Sequence, residues 1–222
     1  MNTMFKSIGV FFVTFCIFTL SSASAEGMKF DVSIGGTSNK SGTSTVTGST
    51  LFSGSSQTDG APEITASMKF LESVPNMFAY GRLSGKSHKH TASFMGANIG
   101  SKNCDSFIGG GLGWDFTPNS PIDVRISGGF EHYDCNGKYA LGGVSFNQTD
   151  MNNTVGSAEL QVSGDLGLVS DGLKGVHLGV FARHSGKMES SVNPFAGINI
   201  KNETGGTTDV GLVVRIPIGA KH

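Results

Sequence analysis

Ile122-Asp123-Val124-Arg125-Ile126-Ser127-Gly128-Gly129-Phe130-Glu131 is the stretch that decides the fold. Successive side chains of an extended chain point to opposite faces, so Ile122, Val124, Ile126 and Phe130 share one side and Asp123, Arg125, Ser127 and Glu131 the other. Toward the N-terminus, the turn sequence Pro118-Asn119-Ser120 leads back into a second alternating run. There Ile108, Leu112, Trp114 and Phe116 oppose Asp105, Gly109, Gly111, Gly113 and Asp115. The two runs read as an antiparallel hairpin.

The same period extends outward to eight segments. Met28, Phe30, Val32 and Ile34 oppose Lys29, Asp31, Ser33 and Gly35, and Ile64, Ala66, Met68 and Phe70 oppose Glu63, Thr65, Ser67 and Lys69. A third segment, from Met77 to Gly85, carries Tyr80, Arg82 and Ser84 on its polar side. Beyond the opening hairpin, Leu160, Val162, Leu166 and Leu168 oppose Glu159, Gln161, Ser163 and Asp165; Val176, Leu178, Val180 and Ala182 oppose His177, Gly179 and Arg183. Last, Val210, Leu212, Val214, Ile216 and Ile218 oppose Asp209, Gly211 and Arg215.

The connectors alternate in length. Short turns centre on Val74-Pro75-Asn76, Pro118-Asn119-Ser120 and Ser170-Asp171-Gly172, whereas 37–60, 86–103, 134–154 and 186–206 are long and rich in Ser, Thr, Gly and Asn. An even number of up-and-down strands with one short-looped and one long-looped rim predicts an all-β fold, an eight-stranded antiparallel up-and-down transmembrane β-barrel of the bacterial outer membrane. A soluble sandwich would share the alternation. The membrane reading rests on its persistence through all eight strands, on the absence of long crossovers, and on Phe70, Trp114 and Phe116 at strand ends beside the short turns, where an interfacial girdle belongs. Termini and short turns are then periplasmic and the four long loops face outward. Asn193 to Ile200 alternates again, so part of each loop is read as strand continuing above the membrane.

The N-terminus has its own pattern: Lys6, the apolar run Ile8 to Leu20, then Ser21-Ser22-Ala23-Ser24-Ala25. This predicts a secretory signal peptide, residues 1–25, cleaved after Ala25, with the barrel over 26–222. The apolar run is shorter than the ~20 residues of a spanning helix. A net charge of −1 leaves no electrostatic footprint for nucleic acid. Past the leader only Cys104 and Cys135 remain, an even count that predicts a disulfide in an exported chain. They flank the Pro118-Asn119-Ser120 hairpin at nearly equal distance from its tip. Strict alternation puts Cys104 on the lipid side and Cys135 on the lumen side, so the bond calls for a bulge near the rim.

Inward charges of both signs predict a lumen filled by ion pairs, since an eight-stranded barrel is just wide enough for side chains to fill. Lys29, Lys69, Arg82, Arg125, Arg183 and Arg215 stand against Asp31, Glu63, Asp115, Asp123, Glu131, Glu159, Asp165 and Asp209. Gly109, Gly111 and Gly113 precede no helix, which removes a phosphate-loop reading. They are expected to leave room for long Arg and Glu side chains. His88 and His90 lack a third ligand at plausible spacing and are expected in a solvated loop, with no metal and no cofactor.

Phe181-Ala182-Arg183-His184-Ser185-Gly186, with Glu189 beyond, resembles the lipid A 3-O-deacylases, outer-membrane serine hydrolases whose His and Ser lie two apart on one lipid-facing strand. In this chain His184 and Ser185 are adjacent and Gly186 occupies the nucleophile's place. No catalytic residue is therefore assigned. Across the mature chain the architecture resembles the small eight-stranded outer-membrane barrels, the OmpA-like and Ail-like group. That resemblance implies a non-enzymatic, monomeric barrel seated among outer-membrane lipid and lipopolysaccharide, with loops for adhesion to a host or cell-surface ligand. A narrow porin-like channel and the lipid A deacylase stand as the alternatives.

Overall fold

The computed structural model describes residues 29–69, 73–118, 120–148, 153–206 and 208–218. The expected signal peptide, its cleavage site and Phe70 lie outside the described residues. In chain order the strands are β1 (Lys29–Gly36), β2 (Lys40–Ser41), β3 (Thr43–Thr47), β4 (Phe52–Asp59), β5 (Pro62–Lys69), β6 (Met77–Phe94), β7 (Ala97–Asp115) and β8 (Ile122–Leu141). They continue with β9 (Val144–Ser145), β10 (Asn147–Gln148), β11 (Thr154–Asp165), β12 (His177–Ser185), β13 (Lys187–Asn193), β14 (Asn199–Gly205) and β15 (Thr208–Ile218).

Eight of these, β1, β5, β6, β7, β8, β11, β12 and β15, close into an antiparallel ring in which β15 returns to β1. They are the eight segments that the alternation marks out, in the same order. Phe30 pairs with Ile218 and Lys29 with Lys69, so both ends of the described chain share the rim that carries the three short turns.

Near that rim the ring is apolar outside and charged inside. Ile122, Ile126 and Phe130 of β8 are about half exposed, as are Leu112, Leu178, Val180 and Ile34, whereas Asp123, Arg125, Ser127 and Glu131 are buried. The span from Ile122 to Phe130 covers roughly 27 Å along a strand, or about 21 Å after tilt, most of the ~25 Å height of an outer-membrane apolar band. Trp114 and Phe116 mark its lower edge on the outer surface.

Beyond Phe130 the same strands continue and the polarity of their faces inverts. On β8 the outward residues become Asp134, Asn136 and Lys138, all exposed, while Tyr133 and Tyr139 turn inward and are buried. On β6 the outward set changes from Ala79, Gly81 and Leu83 to Ser87, Lys89 and Thr91. A wall in lipid must be apolar outside, and a wall in water must hide its apolar residues within. The inversion therefore marks where the membrane stops.

Above that level the long connectors form a compact head. Strands β10, β13, β14 and β3 make a second, four-stranded sheet, and β4 adds itself to the free upper part of β6. Phe52, Ala92, Ile99, Tyr139, Val192 and Ile200 are its core, drawn from all four connectors. Strand does continue above the membrane as expected, in β6, β7 and β8; the connectors pack further than that, since each holds too few apolar residues to form a core and only the four together bury one. Asn193 to Ile200 is not itself a strand, because β13 ends at Asn193 and β14 begins at Asn199.

Leu166 and Leu168 also leave the barrel pattern. They lie in a single-turn 3-10 helix, Leu166–Leu168, followed by another at Asp171–Leu173. Asp165 explains the break: its carboxylate accepts from the backbone N–H of Gly167 (2.7 Å) and Gly175 (3.0 Å), folding the chain into a turn. Asp165 thus caps a rim turn and does not join the lumen network expected of it.

Candidate functional site

Two tiers of ion pairs fill the lumen. In the tier nearer the short turns, Arg125 contacts Asp31 (2.9 Å), Asp123 (3.1 Å) and Asp115 (3.4 Å), Lys69 contacts Asp115 (2.8 Å), and Arg215 contacts Asp123. In the other, the Arg183 guanidinium grips Glu63 with two nitrogens and donates from Nε to Glu159 (2.8 Å), which Arg82 also reaches (2.7 Å). Glu131 lies within 4.0 Å of both arginines and accepts from Tyr133 Oη (2.9 Å) and Ser185 Oγ (3.1 Å). Above them Asp209 takes Lys86 (2.7 Å) and Lys40 (3.0 Å).

Across the tiers, Lys40, Lys69, Arg82, Lys86, Arg125, Arg183 and Arg215 meet Asp31, Glu63, Asp115, Asp123, Glu131, Glu159 and Asp209. Among the described side chains, seven cations meet seven carboxylates, a balance under which buried charge is tolerable. Between the tiers remains a cavity of about 20 Å³, bordered by Arg82, Arg125, Ser67 and Gln161, room for about one water.

Of Gly109, Gly111 and Gly113, expected to make room for Arg and Glu, Gly113 makes room for an aromatic ring, and a side chain at Gly109 or Gly111 would first meet the backbone of β8. A side chain at Gly113 would strike the ring of Phe78; one at Gly129 would meet the Gly110 carbonyl and then the hydroxyl of Tyr80 (2.7 Å), and one at Gly211 the Gly36 carbonyl and then the ring of Phe181 (2.6 Å). Each ring then carries a guanidinium on its exposed face: Arg125 over Phe78 (5.0 Å), Arg82 over Tyr80 (5.1 Å) and Arg183 over Phe181 (4.9 Å). The glycines let the ring lie against the wall, and the ring holds the cation toward its carboxylates. Lumen-facing Phe78 and Phe181 were not singled out in the sequence. Their signal is an aromatic residue on the charged side of a strand, two positions before an arginine for Phe181 and four for Phe78.

Cys104 and Cys135 are directly paired across β7 and β8 and joined as a disulfide. A register shift between Asp105 and Phe107 supplies the bulge that alternation required. Below it the odd-numbered residues of β7 face the lumen; above it Lys102 and Cys104 do. Cys104 packs with Phe107, Tyr133, Val155 and Met188 at the junction of barrel and head.

His88 and His90 are not in a solvated loop. Both lie on the inward face of β6 in the head, buried by the β4 strand and the second sheet. His88 Nδ1 is 2.8 Å from the Thr58 hydroxyl and His90 Nε2 is 3.2 Å from that of Thr204. Burial lowers the pKa of His88 to about 3, aided by Lys86, and that of His90 to about 4, aided by Lys102. Both are neutral near pH 7. Among the described residues, no group of three or more His, Cys, Asp or Glu side chains could hold a metal ion.

His184 and Ser185 lie on opposite faces of β12: His184 is exposed on the outer surface beside Ala158 and Thr208, and Ser185 is buried on Glu131. Glu189 sits in the head, 3.1 Å from Lys201. The three residues of the hydrolase-like segment are not brought together.

No protein-family model and no curated protein matches this chain. Among solved structures it is similar to the outer membrane protein OprG from Pseudomonas aeruginosa, with a TM-score of 0.53 at 9% identity over 87% of this chain and 96% of that one. The fold is that of the small outer-membrane β-barrels. Neisserial surface protein A also aligns (TM-score 0.45, 16% identity, 86% of this chain and 99% of that one), as does the outer membrane protein AlkL (0.43, 10%, 87% and 92%).

Proposed function

We propose that the protein is a non-enzymatic, monomeric outer-membrane barrel that carries an ordered head outside the cell for adhesion or other surface contact. The observation that carries this reading is the inversion of polarity along β6 and β8 above a lumen sealed by paired charges. The barrel is built as a solid stand, and the water-facing part of the chain is invested in the head. Outer-membrane lipid and lipopolysaccharide surround the apolar band. The separation of His184 from Ser185 favours this reading over an acyl ester hydrolase, since a general base must reach its nucleophile at hydrogen-bond distance. The filled lumen favours it over a narrow porin-like channel.

Cells expressing the intact protein are expected to bind a target surface that cells expressing a head-shortened barrel do not bind. Equal binding by both would overturn the proposal. Planar bilayers holding the purified protein should show no steady single-channel steps, and lipid A should keep its acyl chains on expression. Acyl loss that disappears with His184→Ala would establish the enzyme instead.

A further inference from the structure

The four tips of the head carry no charge. Residues 41–58, 91–101, 139–149 and 190–200 contain no Asp, Glu, Lys or Arg, although Lys40, Asp59, Lys89, Lys102, Lys138, Asp150, Glu189 and Lys201 lie just outside these runs. The fold gathers the described residues of the four runs at the end farthest from the barrel's short turns. Met95 N–H donates to the Leu51 carbonyl (2.8 Å), the Phe52 ring meets those of Phe94 (4.9 Å) and Phe195 (6.2 Å), and Phe195 meets Phe146 (6.0 Å).

Large apolar side chains stand out from this end. Leu51, Met95, Val144 and Phe195 are 53%, 72%, 64% and 55% exposed. Within two residues of three of them are glycines with positive φ, Gly96, Gly143 and Gly197, where an added side chain would meet nothing within 4 Å. These turns therefore project freely and are convex.

Three properties narrow what such a surface fits. Leu and Val are under-represented among protein-binding hot spots, and none of the four projecting residues is a Trp, Tyr or Arg. Anionic lipid is recognised by Lys and Arg, which the tips lack. Protruding Phe, Leu, Met and Val on separate turns match a soft apolar phase that closes around each one, at the ~5–10 Å depth of interfacial insertion. Charged residues at the bases of the runs, Lys138 and Lys201 among them, set a stop to that depth.

We infer that the head's tips insert into the interfacial region of an apposed, zwitterionic lipid bilayer. This rests on reading the head as a contact surface and names its partner class: a neutral membrane presented by another cell or vesicle.

The test uses the full mature protein in nanodiscs and flotation with separate phosphatidylcholine vesicles. Binding is expected, unchanged by salt and not increased by added phosphatidylglycerol. Phe195→Ser should weaken it roughly tenfold, the value of one buried aromatic side chain. The combination of Leu51→Ser, Met95→Ser, Val144→Ser and Phe195→Ser should abolish it while the heat-modifiable band of the folded barrel persists. Independently, a probe variant, Met95→Trp, should give a blue-shifted emission on vesicle addition, against the constant background of Trp114.

Absence of vesicle binding, binding that requires anionic lipid, or pairing of nanodiscs with each other without vesicles would each overturn the inference. Cell binding that survives in the fourfold variant also overturns it and leaves the surface-contact reading standing. Loss of cell binding on shortening the head, together with the lost vesicle binding, supports both.

Discussion

The lumen and the head are two interiors enclosed by the same strands, and they are filled by opposite chemistry. Along β8 the inward series runs Asp123, Arg125, Ser127 and Glu131 in the lumen and then Tyr133, Cys135 and Tyr139 in the head. Parity does not change; the outside does. Where the outer face meets lipid, apolar residues are satisfied outside, and the interior can be built from charges that neutralise each other. Where it meets water, the interior must supply the apolar burial that holds the head together. The lumen should therefore fail when a charge is left alone, and the head when a ring is removed.

The largest expected effect is in the lumen. Arg183→Ala leaves Glu63 buried without its main cation and Glu159 with Arg82 alone, at a cost on the order of 3–5 kcal/mol. Urea unfolding in micelles should show it, and Arg183→Met combined with Glu63→Leu should recover part of the loss. A single substitution without measurable effect would mean that the tiers are not the barrel's internal fill.

In the head, Phe52→Ala should cost about 3 kcal/mol by leaving a cavity among Ala92, Tyr139 and Ile200. The barrel should keep its heat-modifiable shift while proteases gain access to the head. If barrel and head were lost together, they would be one cooperative unit and the contrast between them would not hold.

Replacing both cysteines, Cys104→Ser with Cys135→Ser, should cost about 2 kcal/mol. The paired β7–β8 ladder already holds these residues together, so the effect is smaller than for a bond closing a free loop. Protection of the head from proteolysis should fall, with the barrel's unfolding midpoint unchanged.

The smallest effect is a pH dependence confined to the head. Folded His88 and His90 stay neutral down to about 3 and about 4, whereas unfolded histidine protonates near 6.5, so the unfolded chain takes up protons first as pH falls. Their contribution is fully present above about pH 6.5 and is lost progressively as pH drops toward about 4. Lys86 and Asp209 flank His88 and Lys102 flanks His90, and they modulate this range without reversing its sign. Proteolysis of the head should accelerate between about pH 7 and about pH 4.5, less so in His90→Gln, and the lumen should contribute nothing to that difference. An identical pH profile in His90→Gln would remove the assignment.

The barrel was legible because its signal is local and repeated. Eight segments, their order, the short-turn rim and the bulge demanded by Cys104 and Cys135 all follow from period-two alternation. The lumen was legible as charges of both signs on one face, but not as tiers, because which Arg meets which Glu depends on strand stagger around a closed ring. Arg183 and Glu63, 120 residues apart, are an example. The head was hardly legible. Phe52, Ala92 and Tyr139 each stand in a polar run with no period to betray them, and His88 and His90 sit in a segment that is hydrophilic until a neighbouring connector covers it.

The sequence by itself determined the wall of this protein, since alternation is a property of each strand and needs no knowledge of its partners. Only the tertiary structure decided the two interiors and the exposed end. Pairing of buried charges and assembly of a core from four connectors both depend on contacts between residues far apart in the chain, and only closure of the ring brings those residues together.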